Sequence, residues 1–344
     1  MTEPGAEVRE SLREIAAATE VVSRNEFCLH GRSVDIRDQP PPTGRTAGQG
    51  GGALRTRLRN ALYSGFYTGT GSHSNLNPER DVDEAPGEDD LSSRLSRANR
   101  SRTLWDEGWK TIARLPDGRL ATAKDSRART WAPGQYVHDA KPRSPGAGDI
   151  VRTLSASEST AAQPGFHFFF GESAADDVER ASQVRFYWNI RWEGAVRLVE
   201  ALVRVLNRWR IPYQFKCPVR KRRFTRRDSG VLYVGGRRTA LLRELLPSVM
   251  EAVEGDLEDG TPLFTRRIAR GVGVAENPEG GESFGMHRCG IVADGLIDAF
   301  ESGGDSGARL AGIERQFERR GVSLAQPWLN RRGQDPHGLG EFML

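Results

Sequence analysis

Long apolar runs, a cysteine framework and the usual nucleotide-binding fingerprints are all missing from this 344-residue chain. No stretch of about 18 consecutive apolar residues occurs, which excludes an ordinary membrane-spanning helix. The opening Met1-Thr2-Glu3-Pro4 lacks the basic and apolar regions of a secretory signal, so the chain reads as cytoplasmic. Three cysteines, Cys28, Cys217 and Cys289, are too few and too scattered for a disulfide scaffold or a zinc ribbon, and read as buried thiols. The glycines at 271, 273, 280, 281 and 285 do not form GxGxxG after a strand, and there is no GxxxxGK[ST], HRD loop or DFG. Nucleotide chemistry is therefore not indicated. No His, Cys or acidic spacing makes a metal site, and a net charge of only +4 argues against a general nucleic-acid coat.

What is present is enough apolar material for a core and a strong local segregation of charge. The hydrophobic fraction is 37% and mean hydropathy is −0.57, giving a folded protein with a polar surface. Acidic residues gather between Asp81 and Asp90, while the eight positions from Arg220 to Arg227 hold six basic residues. Such a basic cluster suggests an anionic ligand.

Helical spacing covers Glu7 to Ser23, Leu54 to Phe66 and Leu91 to Ala98, separated by a Pro- and Gly-rich loop from Gln39 to Gly52 and by an exposed acidic segment after Asn77. From Trp105 the pattern changes to short strands with turns at Pro116-Asp117-Gly118 and Pro133-Gly134. The apolar Phe166 to Phe170 and the segment Val184 to Ile190 read as strands, and Ala195 to Leu206 as an amphipathic helix. Tyr213 to Cys217 and Gly230 to Val234 are strands, and Thr239 to Val253 is a helix. A Gly-rich approach then leads to a helix opened by Ser283, and Leu310 to Arg320 closes the series. This predicts an α+β fold with mixed or antiparallel sheets and flanking helices. A mainly helical region with loops spans 1-104, and an α+β domain spans 105-344.

Several residues carry possible chemistry. Lys216, between Phe215 and Cys217, is either a lysine snorkelling from an edge strand or an amine whose proton affinity is lowered by desolvation so that it serves as a base. Tyr187 and Asn189 share a strand face and form either a satisfied interior pair or hydrogen bonds to a substrate carbonyl. His287, beside Arg288 at a helix start, is either a structural hydrogen-bonder or a general acid, and the same turn offers amides to an anion. His167 reads as a strand-surface or hydrogen-bonded histidine rather than a catalyst. In the basic run, Lys221 and Arg222 read as solvated loop, while Arg226 and Arg227 adjoin the following strand and can aim a guanidinium fork at phosphate. Arg191, Arg266, Arg267 and Arg270 are further candidates.

The segment Ser283-Phe284-Gly285-Met286-His287-Arg288 resembles the signature of the HopA-type effector family, whose domain recurs as the lyase (LanY-like) component of class V lanthipeptide and thioamitide biosynthesis. The resemblance continues through Phe186-Tyr187-Trp188-Asn189-Ile190 with Gly194, Asn207, Ile211 to Lys216, Arg227 to Tyr233, Gly321 to Leu324 and Pro327-Trp328-Leu329-Asn330. It extends more loosely to Tyr63, Phe66 and Tyr67. It implies a phosphoserine or phosphothreonine lyase that eliminates phosphate from a ribosomal precursor peptide, leaving dehydroalanine or dehydrobutyrine. A separate kinase would supply the phosphate, and no metal or organic cofactor, membrane or nucleic acid would take part. The roles implied are Lys216 as base, Tyr187 or Asn189 as carbonyl stabiliser, His287 as acid, and Arg226, Arg227, Arg288 and Arg191 at the phosphate. The alternative is a non-catalytic, effector-like or leader-peptide-binding scaffold that partners a kinase.

Overall fold

The computed structural model describes residues 4–37, 52–69, 90–138 and 144–344. The Gln39 loop and nearly all of the acidic segment therefore lie outside the described residues. Helix α1 (Pro4–Ala18) ends earlier than its apolar spacing suggested, because Thr19–Ser23 is already a strand. That strand, β1, forms an antiparallel sheet with β2 (Glu26–Leu29) and β3 (Arg32–Asp35). Val21 fits both a helical stripe and the buried side of a strand, and its alternation with exposed Glu20 and Val22 decides for the strand.

Helix α2 (Ala53–Leu62) runs into a π-helical turn, Tyr63–Tyr67. Helix α3 (Leu91–Ala98) is capped by Asp90, whose side chain accepts from the Ser92 amide. Next comes a five-stranded antiparallel sheet of β4 (Leu104–Arg114), β5 (Leu120–Lys124), β6 (Arg127–Trp131), β7 (Tyr136–Val137) and β8 (Ile150–Ser155), in the order β6-β5-β4-β8-β7. It has a small core of its own, Trp109, Leu120, Trp131 and Val151, with the Trp109 and Trp131 rings edge to face at 5.4 Å.

The remaining elements build the sheet that positions the site. They are β9 (Glu158–Ser159), β10 (Phe166–Phe170), α4 (Asp177–Ala181), β11 (Gln183–Trp188), α5 (Trp192–Arg208), β12 (Tyr213–Pro218), β13 (Gly230–Gly235), α6 (Thr239–Val253), β14 (Arg266–Ala269), β15 (Val272–Glu276), α7 (Phe284–Glu301) and α8 (Ser306–Arg319). Seven strands pair antiparallel in the order β14-β15-β11-β13-β12-β10-β9. The fold is α+β, and every strand pairing among the described residues is antiparallel. The strands β14 and β15 replace the glycine-rich loop expected before α7. Gly273 is buried where a Cβ would meet the Thr265 side chain, so the glycine marks close packing rather than a flexible connection.

Strand alternation gives this sheet two different faces. Val184, Phe186 and Trp188 of β11 are fully buried on one side, where Phe186 meets Phe342 and Phe342 in turn lies under Arg243 of α6. Arg185 and Tyr187 point to the other side, which α7 covers in part through Phe284, 6.2 Å from the Tyr187 ring.

Candidate active site

The pairing register assembles the site. Tyr187 of β11 lies opposite Val231 of β13, Val231 opposite Lys216 of β12, and Lys216 opposite Phe168 of β10. Paired residues share a face, so Tyr187 and Lys216 stand in one row, about 10 Å apart at two strand spacings. The adjacent row holds Arg185, Tyr233 and Gln214. The Tyr233 ring is shared between the rows, with the Arg185 guanidinium carbon 5.0 Å and the Lys216 Nζ 5.9 Å from its centre.

Lys216 is half-buried, while its neighbours Phe215 and Cys217 point into the core on the opposite face. Its Nζ donates to Gln163 Oε1 at 3.0 Å and lies 4.7 Å from the Phe166 ring and 5.7 Å from the Phe168 ring. The apolar flanks noted in the sequence are therefore not what surrounds the amine. Aromatic faces and one amide oxygen do so, and they attract an ammonium.

Tyr187 is buried, and its hydroxyl lies beside Tyr67 and Arg185 without a well-formed hydrogen bond to either. Burial pushes it up to about 12, with Arg185 beside it pulling the other way, so at neutral pH it is a phenol able to donate. The π-helical turn supplies Tyr67, edge-on to Tyr187 at 6.5 Å, and Tyr63, stacked on Tyr67 at 5.0 Å. Gly285 of α7 admits this pair, since a Cβ there would lie 2.5 Å from the Tyr67 ring and 2.6 Å from the Tyr63 ring.

Arg226 and Arg227 separate sharply. Arg226 forms a bidentate pair with Asp228, both bonds 2.8 Å, and donates to the Tyr63 hydroxyl at 2.8 Å, which in turn donates to Asp228 at 3.1 Å. Burial works to raise the Asp228 carboxyl, but Arg226 overrides it and holds the group below the ordinary carboxylate value. Arg226 is thus neutralised inside the protein. Arg227 anchors its backbone N–H on Thr68 O at 2.9 Å, and its half-buried guanidinium packs on Gly69, which adopts φ +67° where a Cβ would strike Arg227 Nε. Among the described residues the Arg227 side chain has no carboxylate partner.

Four other expected residues have structural surroundings instead. Asn189 donates from Nδ2 to Asp259 O at 2.8 Å and Gly260 O at 3.2 Å, clamping the loop against which Arg227 leans. Arg191 is half exposed, bonds Gly255 O at 2.6 Å, and lies 3.7 Å from both Asp256 and Glu258. Arg288 is fully buried and spends its donors on Pro327 O (2.8 Å), Leu329 O (2.7 Å) and His287 Nδ1 (2.6 Å). Burial, with Arg288, Arg320 and Arg55 nearby, pushes His287 down to about 3, so the imidazole is neutral at pH 7 and lacks the proton a general acid needs. Ser283 does cap α7, its hydroxyl accepting from the Met286 amide at 3.3 Å. Arg267 and Arg270 reach Asp259, and Arg266 lies over Trp328. His167 is buried rather than on the strand surface, between Ser92 at 3.3 Å and Glu158 at 3.4 Å.

Sequence reasoning missed Arg185, Tyr233, Gln163, Tyr63 and Asp228. The cross-strand register, the π-helical turn and the loops that carry Gln163 and Asp228 bring them to Lys216 and Tyr187. A cleft of about 1000 Å³ elsewhere, along α7 and α8, is lined by Arg55, Asp294, Asp298 and Arg320, with Asp294 already paired to both arginines. None of the residues around Lys216 lines it. Among the described residues no cluster of His, Cys, Asp or Glu can hold a metal, and no helix is long and apolar enough to cross a membrane.

The model of the HopA1 effector protein family matches residues 157–329, which include all of the sheet side of this site. Solved structures of two effector proteins are among those similar to it. One is the effector protein from Pseudomonas syringae pv. tomato strain DC3000, at 20% identity and a TM-score of 0.40, covering 50% of this chain and 66% of that one. The other is the effector protein from Pseudomonas syringae pv. syringae strain 61, at 19% identity and a TM-score of 0.37, covering 50% of this chain and 67% of that one. The chain thus spans about two thirds of each of these effectors. No curated protein matches it.

Proposed function

The chain belongs to the HopA1 effector protein family, and from that premise we propose that it is a phosphoserine/phosphothreonine lyase acting on a peptide phosphorylated by a separate kinase. The observation that carries this reading is the row that sets Lys216 and Tyr187 on one sheet face, beside cations that no carboxylate neutralises. β-Elimination needs a base for the weakly acidic α-proton, a donor for the charge gathering on the peptide carbonyl, and cations for the departing phosphate. Lys216 takes the α-proton. Tyr187, a buried phenol with an unused O–H, donates to the carbonyl oxygen. The electrons of the broken C–H bond form the alkene as the C–O bond to phosphate breaks, and Arg227, which pairs with no carboxylate among the described residues, is assigned to the departing dianion. Neither Arg226, committed to Asp228, nor the neutral His287 is assigned to that step.

The substrate class we favour is a ribosomal precursor peptide, giving dehydroalanine or dehydrobutyrine on the way to a lanthipeptide-type product. A second reading, a non-catalytic peptide-binding scaffold, is favoured by the aromatic setting of Lys216, which suits recognition of an anionic group by an ammonium. Incubating the isolated chain with a phosphoserine peptide separates the two. Release of free phosphate, abolished in Lys216→Met with peptide binding retained, supports the lyase; binding without release by the wild type supports the scaffold.

A further inference from the structure

Arg185 is 7% exposed, and among the described residues no carboxylate pairs with it. Its Nε and Nη2 both donate to Asn277 Oδ1, Nε at 2.7 Å, and Nη2 also reaches Glu282 O at 3.2 Å. All of these acceptors are neutral. The nearby Glu282 carboxylate is engaged by Arg59, and Asp228 by Arg226. A guanidinium cannot shed its charge to escape such a position, and burying an uncompensated cation is costly. The other buried arginine of the site, Arg226, has the counter-ion that Arg185 lacks.

We propose that Arg185 is the anion receptor of this site, binding a phosphate group between itself and Lys216 across the edge of Tyr233. The inference rests on the lyase reading only for the identity of the phosphorylated molecule. Register supports the geometry, because Arg185 is two residues from Tyr187 on the same face and directly opposite Tyr233, whose ring Lys216 also borders. The two cations divide the work. Arg185 keeps its charge and holds the phosphate, while Lys216 is the base of the proposed elimination. Asn277 and the Glu282 carbonyl orient the guanidinium fork, whose Nη1 is the nitrogen not engaged by either of them.

The test uses inorganic phosphate as the probe and thermal unfolding of the full chain as the readout. Wild-type protein gains melting temperature with phosphate concentration, and Arg185→Gln weakens the apparent affinity about tenfold or more. The same change at exposed Arg208 leaves the affinity unaltered. An Arg185→Gln protein that folds and responds to phosphate like the wild type overturns the proposal. Should that variant not fold, phenylglyoxal labelling of the wild type, mapped by mass spectrometry, replaces it: phosphate protects Arg185 if the proposal holds, and absence of protection overturns it. The two readings fail separately. Phosphate binding lost in Arg185→Gln while the wild type releases no phosphate from a phosphopeptide leaves the receptor standing and removes the lyase. Unchanged phosphopeptide turnover and KM in Arg185→Gln removes the receptor and leaves the lyase.

Discussion

Lys216 and His287 show how one residue type in a suggestive context acquires its meaning from neighbours the sequence cannot order. For Lys216 the strand was legible, but its interior place in the sheet and its partners were not, since β12 lies between β13 and β10 and Gln163 and Tyr233 reach the amine from elsewhere. Lys216→Arg is expected to fold normally and to lose elimination, because a guanidinium stays protonated; the check is single-turnover phosphate release. For His287 the helix start and the Ser283 cap were legible, whereas the burial and the three surrounding arginines were not. In the unfolded chain this imidazole takes a proton near pH ~6.5, but in the folded chain only near 3, so the unfolded state binds more protons throughout that interval and stability falls as pH drops through it. His287→Gln should therefore shrink the difference between urea midpoints measured at pH 7 and pH 5, while leaving elimination within a few-fold of wild type. A loss of about a hundredfold in rate would restore His287 as the acid.

The elements most faithfully legible were those with an uninterrupted period. Leu91–Ala98 and Thr239–Val253 are helices over the very residues their apolar spacing marked, and β10, β12 and β13 are strands within a residue of the expected segments. Failure came where glycine or a short span disguised a strand, in β14 and β15, and in the β1 to β3 sheet that occupies part of a region expected to be mainly helical. The π-helical turn was invisible because its extra residue per turn leaves no compositional mark, yet it stacks Tyr63 on Tyr67 against α7. That contact predicts a cost at the helix surface. Gly285→Ala should destabilise the protein by about 2 kcal/mol in urea unfolding, since the added methyl must displace two packed rings. At the mouth of β13, Asp228→Asn should cost about 3 kcal/mol by the same measurement, because it strands the Arg226 charge; a loss below about 1 kcal/mol would mean that the Arg226–Asp228–Tyr63 triangle is solvated and Arg226 is available to a ligand.

Over the whole molecule, three antiparallel sheets and their helices leave one sheet face partly covered, and its cations, phenols and lysine converge there without a metal-binding cluster among the described residues. The α+β class was readable from the order of elements, but the convergence follows from strand order β11-β13-β12, which interleaves segments distant in sequence. Phosphate release alone would not distinguish a lyase from a phosphatase, because hydrolysis frees the same anion while returning serine. The decisive measurement is therefore the mass of the peptide product after the purified chain has acted on a phosphoserine peptide. The account predicts a product lighter than the unphosphorylated peptide by one water, able to add a thiol across its new double bond, and absent with Lys216→Met. A product with the mass of the unphosphorylated serine peptide, or a phosphopeptide left intact, would contradict it.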